Sequence, residues 1–144
     1  LLCSCEMEQL KRLNSKPDID YQIEGDRNKD IAFTNSSHFS LILAHLLNNA
    51  NKFTERGSIV LSYKAEEEQN RMIVNITDTG CGISSDKREW IFERFTKADD
   101  FVPGSGLGLY LCRQIAERMK GHIYVDPDYT TGLRITLIIP IKPE

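Results

Sequence analysis

At 144 residues the chain is long enough for one domain with a sizeable core. A net charge of −3 argues against a nucleic-acid or anionic-membrane surface, and no apolar run approaches the roughly 20 residues that span a bilayer. The four cysteines, Cys3, Cys5, Cys81 and Cys112, form no C-x-x-C pair, which favours reduced thiols in a cytoplasmic setting over a disulfide framework or a metal site.

The chain starts LLCSCEMEQL, without Met and without the pattern of a signal peptide, which suggests a piece of something longer. Residues 4–15 could form a short helix that ends before Pro17. IDYQIE (19–24) and IAFT (31–34) alternate as strands do. Next comes the clearest helix, with Asn35 or Ser36 able to cap its start. Its buried stripe is predicted as Phe39, Ile42, Leu43, Leu46, Leu47, Ala50 and Phe53, and Gly57 closes the region.

SIVLSYKAE (58–66) and RMIVNITD (71–78) read as a β-hairpin, followed by the turn-rich TGCGISSD. KREWIFERF (87–95) reads as a short helix. From Leu107 the pattern is helical again, with Gly108, Leu111, Cys112, Ile115, Ala116 and Met119 on one face. Arg113, Gln114, Glu117 and Lys120 are expected to face away, and Gly121 is a natural stop. HIYVD (122–126) and LRITLIIP (133–140) close the chain as strands. The order β-β-α-β-β-α-α-β-β predicts a mixed sheet with helices segregated on one face.

Polar residues supply the chemistry. On the long helix Asn49 falls just past the edge of the apolar arc, with His45 and Lys52 further round and His38 on the same side. Asn48 and Asn51 are expected to point elsewhere, into solvent. An Asn oxygen beside an ammonium suits an anion carrying Mg²⁺, which prefers oxygen ligands. The same stripe could equally be the solvated flank of an amphipathic helix.

Asp78 ends a strand-like run and precedes Thr79-Gly80-Cys81-Gly82-Ile83. A carboxylate there needs a donor, and a base's exocyclic amine is one, with the two glycines letting backbone approach a flat ring. An Asp-initiated turn is the plainer alternative. The segment GSGLGL (104–109) fits neither the dinucleotide fingerprint nor the P-loop.

Taken together, LLNNANKFT, DTGCGI (78–83), IFERF (91–95) and GSGLGL resemble the N, G1, F and G2 boxes of one family in order and spacing. That family is the ATP-binding catalytic domain of bacterial sensor histidine kinases, in the wider group with gyrase B, Hsp90 and MutL. The resemblance runs from about residue 15 to residue 140, leaving residues 1–14 as the remnant of an upstream helical or linker segment and 15–144 as the catalytic domain.

It implies an α/β two-layer sandwich, a largely antiparallel five-stranded sheet covered by three helices, with ATP between the helices under a lid at about Thr96 to Pro103. By similarity, Asp78 would accept the adenine amino group, with Gly80, Gly82 and Ile83 along the base and sugar. Asn49 would hold Mg²⁺ and Lys52 would reach the phosphates. Phe92 and Phe95 would anchor the lid, with Arg94 and Lys97 near the nucleotide or partner. Gly104, Gly106 and Gly108, with Leu107 and Leu109 between and after them, would present backbone N–H groups to the phosphates at a helix N-terminus. Phe101 and Val102 would cover the nucleotide or touch a partner domain.

The chain departs from the family in three places. His45 stands where the family usually has Asn and the ATP-hydrolysing relatives have Glu. It is read as an auxiliary contact to a metal-bound water or as a polar spacer. Leu133 and Arg134 follow Gly132 where Thr or Ser often helps a water reach adenine, so that contact is in doubt. None of His38, His45 and His122 has the family's phosphoacceptor surroundings.

The expected activity is therefore ATP–Mg²⁺ binding for phosphorylation of a His on a separate dimerisation hairpin, with onward transfer to the Asp of a response regulator receiver domain. The fragment alone is expected to be monomeric, not to phosphorylate itself, to contact neither nucleic acid nor membrane, and to be cytoplasmic, whether or not its parent is anchored in the inner membrane. An anti-sigma-type Ser/Thr kinase, a gyrase- or Hsp90-like ATPase and a non-catalytic nucleotide sensor are the alternatives.

Overall fold

The computed structural model of the chain describes residues 7, 8, 10–12, 16–25, 36–80, 82, 90–92 and 108–141, with the side chains of Ser36 and Trp90 outside the description. Five strands form one sheet: β1 (Ile19–Glu24), β2 (Gly57–Glu66), β3 (Arg71–Asp78), β4 (His122–Val125) and β5 (Leu133–Pro140), in the order β1-β2-β3-β5-β4. β1 runs parallel to β2, and the other three pairings are antiparallel. A parallel pair needs a crossover, and helix α1 (Ser36–Phe53) supplies it between β1 and β2. Helix α2 (Gly108–Arg118) precedes β4 and packs against α1. This is the expected mixed five-stranded sheet under a helical layer. The IAFT segment and the proposed cap Asn35 lie outside the described residues.

Alternation decides which face is inside. Met72, Val74, Ile76 and Asp78 of β3 are buried, while Arg71, Ile73, Asn75 and Thr77 between them are less so. The inner faces of β2 and β5 carry Ile59, Leu61, Ile135, Leu137 and Ile139, all at 3% exposure or less. Against them α1 lays Phe39, Ile42, Leu43, Leu46, Leu47 and Ala50, each 2% exposed or less. The predicted stripe is therefore present, with Phe53 half-buried at its end. Met7 and Leu10 are buried in the same core.

Helix α2 sits differently on its axis than the periodicity predicts. Cys112, Ala116 and Met119 are buried, but Leu111 is exposed, and Leu109 packs on the core in its place. Arg113 does not face away: its guanidinium lies 4.3 Å from the centre of the buried Phe92 ring and donates to the Ile123 carbonyl. The helix stripe is narrow because α2 crosses α1 and a sheet edge strand at once.

The end of α2 also corrects an expectation. The left-handed residue is Lys120 (φ 62), not Gly121. Gly121 N–H donates to the Ala116 carbonyl and Lys120 N–H to that of Glu117, the paired bonds of a Schellman ending. Gly121 is glycine for a packing reason, since a Cβ there would lie 2.3 Å from the Ile138 carbonyl oxygen.

The β2–β3 connection is the expected hairpin, with a 3-10 turn at Glu67–Gln69 and a left-handed Asn70 (φ 52). Arg71 Nε meets Glu66 Oε1 across its base at 2.5 Å. Of the segment expected as a helix over 87–95, Trp90–Phe92 is described, as one 3-10 turn.

Candidate nucleotide site

The site begins where β3 stops. Asp78 is the last residue of a strand paired on both sides, opposite Ile59 of β2 and Leu133 of β5. It sits on the inner face and is only 3% exposed. Burial raises its pKa above the ordinary carboxylate value; the backbone N–H groups of Gly80 and Leu133 donate to it and oppose that shift. The bond from Gly80 to Asp78 Oδ1 is 2.9 Å. A buried carboxylate with two main-chain donors and no cation among its described partners still has acceptor capacity for a ligand.

Its backbone is held from three directions. The Tyr129 hydroxyl donates to the Asp78 carbonyl at 3.3 Å. Gly132 packs so closely that a Cβ there would fall 2.0 Å from the same oxygen. Thr79 N–H donates to the Ser58 carbonyl, and Ser58 N–H donates to Thr79 Oγ1. Arg134 lies across the sheet on the other face, where its Nε donates to Thr77 Oγ1 and its guanidinium stacks 4.7 Å from the Tyr129 ring centre.

The glycines after Asp78 are required by geometry. A Cβ on Gly80 would lie 2.4 Å from the Phe53 carbonyl oxygen at the end of α1, and 3.0 Å from both Asp78 Oδ1 and Thr54 Oγ1. Gly82 has φ +68, and its Cβ would lie 3.0 Å from the Gly132 carbonyl oxygen. The end of α1, the end of β3 and the β4–β5 turn therefore converge on the carboxylate.

Helix α1 supplies the polar flank. Asn49 and His45 are half-buried, Lys52 and His38 exposed. The imidazole of His45 stands at the start of α2, its Nδ1 3.6 Å from where a Gly108 Cβ would be. So the structure brings His45 beside the first helical residue of the GSGLGL segment. Asn48 is exposed and donates back to the Ala44 carbonyl. Asn51 is not solvated as expected: it is buried, and its Oδ1 accepts the Tyr21 hydroxyl at 2.6 Å. Lys16 Nζ donates to the carbonyls of Asn51 and Thr54 at 2.6 and 3.0 Å, closing the C-terminal end of α1.

Phe92 is buried at 1% exposure beneath Arg113. Leu109 is half-buried against the core. Ile83, Arg94, Phe95, Lys97, Gly104, Gly106 and Leu107 lie outside the described residues, as do Phe101 and Val102. Two contributors are absent from the sequence-based expectations. The Leu133 donor is a backbone group, invisible in residue type. Thr54 has one sequence signal, its place as the polar residue directly after the last apolar position of α1.

The donor set suits an adenine nucleotide and a hard cation. The free acceptor capacity of Asp78 matches an exocyclic amine. The Asn49 amide oxygen fits Mg²⁺, which takes few protein ligands alongside phosphate oxygens and water. Among the described residues no cluster of three His, Cys, Asp or Glu side chains offers a site for a different metal.

Comparisons with known proteins agree with this geometry. Residues 34–143 match the family described as histidine kinase-, DNA gyrase B- and HSP90-like ATPase. The catalytic domain of histidine kinase ThkA, in a nucleotide-free form, superposes with a TM-score of 0.84 at 26% identity, over 99% of this chain and 91% of that one. Full-length ShkA, solved in complex with AMPPNP, gives 0.81 at 26% identity over 96% of this chain and 29% of its own. The autoinducer 2 sensor kinase/phosphatase LuxQ of Vibrio vulnificus strain YJ016 is 35% identical over 117 residues, which is 76% of this chain and 14% of LuxQ. The chain belongs to the histidine kinase-, DNA gyrase B- and HSP90-like ATPase family, and within it stands with the catalytic domains of sensor histidine kinases. Among the described residues no helix is long and apolar enough to cross a membrane.

Proposed function

We propose that this domain binds ATP with Mg²⁺ and presents the γ-phosphoryl group to a histidine on a helical hairpin of its own polypeptide or dimer partner. The observation that carries this reading is Asp78, a desolvated carboxylate at the end of a central strand, held by two backbone donors and with acceptor capacity left for a ligand. Asp78 accepts the amino group of adenine and so selects the base. Asn49 and Lys52, on the flank of α1, hold the cation and the phosphates. Gly108 opens α2, whose free N–H groups and dipole favour an anion there.

Phosphoryl transfer asks little covalent chemistry of this domain: it positions the phosphates and excludes water until an acceptor arrives in line. Mg²⁺, when bound, neutralises charge on the phosphates. The acceptor is supplied from outside these 144 residues, and a response regulator receiver domain takes the group from it. The work is done in the cytoplasm, where ATP is available. The similarity to ShkA, which was solved with AMPPNP bound, supports the nucleotide assignment.

The experiment is reconstitution. The domain is mixed with the phosphoacceptor hairpin of its parent protein and labelled ATP. Acid-labile phosphate should appear on the hairpin, and Asp78→Asn should abolish it. Phosphate on Ser or Thr instead, stable to acid, would replace this reading with a Ser/Thr kinase.

A further inference from the structure

The chain between α1 and β2 is gripped from both sides. On one side stands the incoming chain. Residues 7, 8 and 10–12 are helical, and Met7 and Leu10 are buried in the core at 0% and 4% exposure. Lys16 Nζ donates to the Asn51 and Thr54 carbonyls, and the Tyr21 hydroxyl donates to Asn51 Oδ1. The Gly57 N–H donates to the Asp18 carbonyl at 3.1 Å.

On the other side stands the loop that follows Asp78. Thr79 Oγ1 donates to the Arg56 carbonyl at 3.3 Å and accepts the Ser58 N–H at 3.0 Å. Gly57 (φ +115) comes so close that a Cβ there would fall 1.9 Å from Thr79 Oγ1. A Cβ on Gly80 would fall 2.4 Å from the Phe53 carbonyl oxygen. Residues 51–58 are therefore one layer between the incoming chain and the loop that positions the carboxylate. Main-chain groups make most of the contacts on both flanks, and close-packed backbone transmits a displacement that a long side chain would absorb. The incoming chain is held by two apolar side chains and a few hydrogen bonds, a contact of the size that opens locally while a domain stays folded.

We propose that docking of the incoming segment, residues 7–18, and binding of nucleotide are coupled through residues 51–58. With the segment docked, the middle layer supports Thr79 and Gly80, and the Gly80 N–H holds Asp78 Oδ1 where it meets the adenine amino group. With the segment undocked, the Asn51 and Thr54 carbonyls lose Lys16, the Gly57 N–H loses Asp18, and the support behind Thr79 and Gly80 slackens. Nucleotide prefers the docked state. Its apparent affinity therefore falls with the fraction undocked, and bound nucleotide in turn holds the segment down. A pull on residues 7–18 from an upstream element reaches the nucleotide site by this route. The proposal rests on the nucleotide-binding reading above.

The test combines calorimetric titration of the 144-residue chain with ADP and Mg²⁺ and amide hydrogen exchange. The variants are Lys16→Met, Lys16→Arg and Gly121→Ala, each measured at a temperature where it is folded. Lys16→Met should bind ADP about fivefold more weakly, the low end of ordinary coupling between sites. Lys16→Arg keeps charged donors for the two carbonyls and should recover most of that loss. Gly121→Ala destabilises the domain away from the middle layer and should bind as wild type does. In wild type, saturating ADP should slow exchange at residues 7–12.

Unchanged ADP affinity in Lys16→Met, or exchange at residues 7–12 that is indifferent to ADP, would overturn the coupling while leaving nucleotide binding intact. An equal loss in Lys16→Met and Gly121→Ala would overturn it too, by tracing the effect to general stability. Failure of wild type to bind ADP at all would instead remove the nucleotide reading, and this proposal with it. Should Lys16→Met fail to fold, Tyr21→Phe removes the bond to Asn51 Oδ1, keeps the ring, and carries the same comparison.

Discussion

Gly80 and Phe53 touch through their backbones: a Cβ on Gly80 would stand 2.4 Å from the Phe53 carbonyl oxygen. The end of the long helix thus rests on the loop that follows Asp78. A methyl group at position 80 would have to push the two apart, and backbone does not yield as a flexible side chain does. Gly80→Ala should destabilise the fold by about 1–3 kcal/mol, as other overpacked sites do. Nucleotide affinity should fall as well, measured on protein still folded at low temperature. An unchanged melting midpoint would mean that the two elements are not locked together.

Asp78 should make both stability and binding depend on pH. Its folded pKa is raised, chiefly by burial, so the folded state favours the protonated form. Its contribution is therefore fully present below the unfolded value of about 3.9 and is lost as pH rises through the folded value. Asp78→Asn removes this dependence, and the variant should gain stability relative to wild type as pH rises from about 3.5 to about 7 in urea titrations. Nucleotide binding should run the other way, weakening as acid neutralises the carboxylate that accepts the amine.

The sequence showed much of this architecture and missed identifiable parts of it. Period-two alternation located β1, β2, β3 and β5 to within a residue, and the 3.6-residue period located the stripe of α1. Periodicity failed at Leu111 and Arg113 because a short helix wedged between a neighbour helix and a sheet edge does not bury a regular arc. It failed at Asn51 because the buried partner, the Tyr21 hydroxyl, is 30 residues away in sequence. The carboxylate at Asp78 was legible from its place at a strand end. Its second donor, Leu133 N–H, comes from a paired strand and carries no residue signature.

The Schellman ending of α2 offers a direct gain in stability. Lys120 occupies a left-handed conformation that costs a side-chain-bearing residue roughly 1 kcal/mol. Lys120→Gly should raise the unfolding free energy by about that amount in urea titrations. Gly121→Ala should do the reverse, since its Cβ would meet the Ile138 carbonyl oxygen. The opposite pair of signs would mean that Gly121 carries the turn.

Lys16 links the incoming chain to the end of α1. Its ammonium donates to two carbonyls there, and its N–H donates to the Tyr21 hydroxyl at 2.9 Å. Lys16→Met keeps the stem and removes the donors, and should cost about 1 kcal/mol. Amide hydrogen exchange should rise in the last turn of α1 more than in α2. Uniform protection would locate the effect elsewhere.

Cys112 reports on the contact between α1 and α2. It is fully buried, its Sγ is 3.9 Å from the Ile42 carbonyl oxygen, and burial pushes its pKa up to about 12. In a background with Cys3, Cys5 and Cys81 changed to Ser, a disulfide reagent should leave it untouched at about pH 8 until the protein unfolds. Rapid labelling of the folded chain would mean that the helices separate readily.

The most direct measurement is calorimetric titration with an ATP analogue, with Mg²⁺ and with EDTA, of wild type, Asp78→Asn and Asn49→Asp. Wild type should bind in the micromolar-to-submillimolar range, Asp78→Asn should weaken binding at least tenfold, and Asn49→Asp should change the dependence on Mg²⁺. Binding that is indifferent to Asp78→Asn, or absent under every condition, would contradict the assignment of this site to adenine.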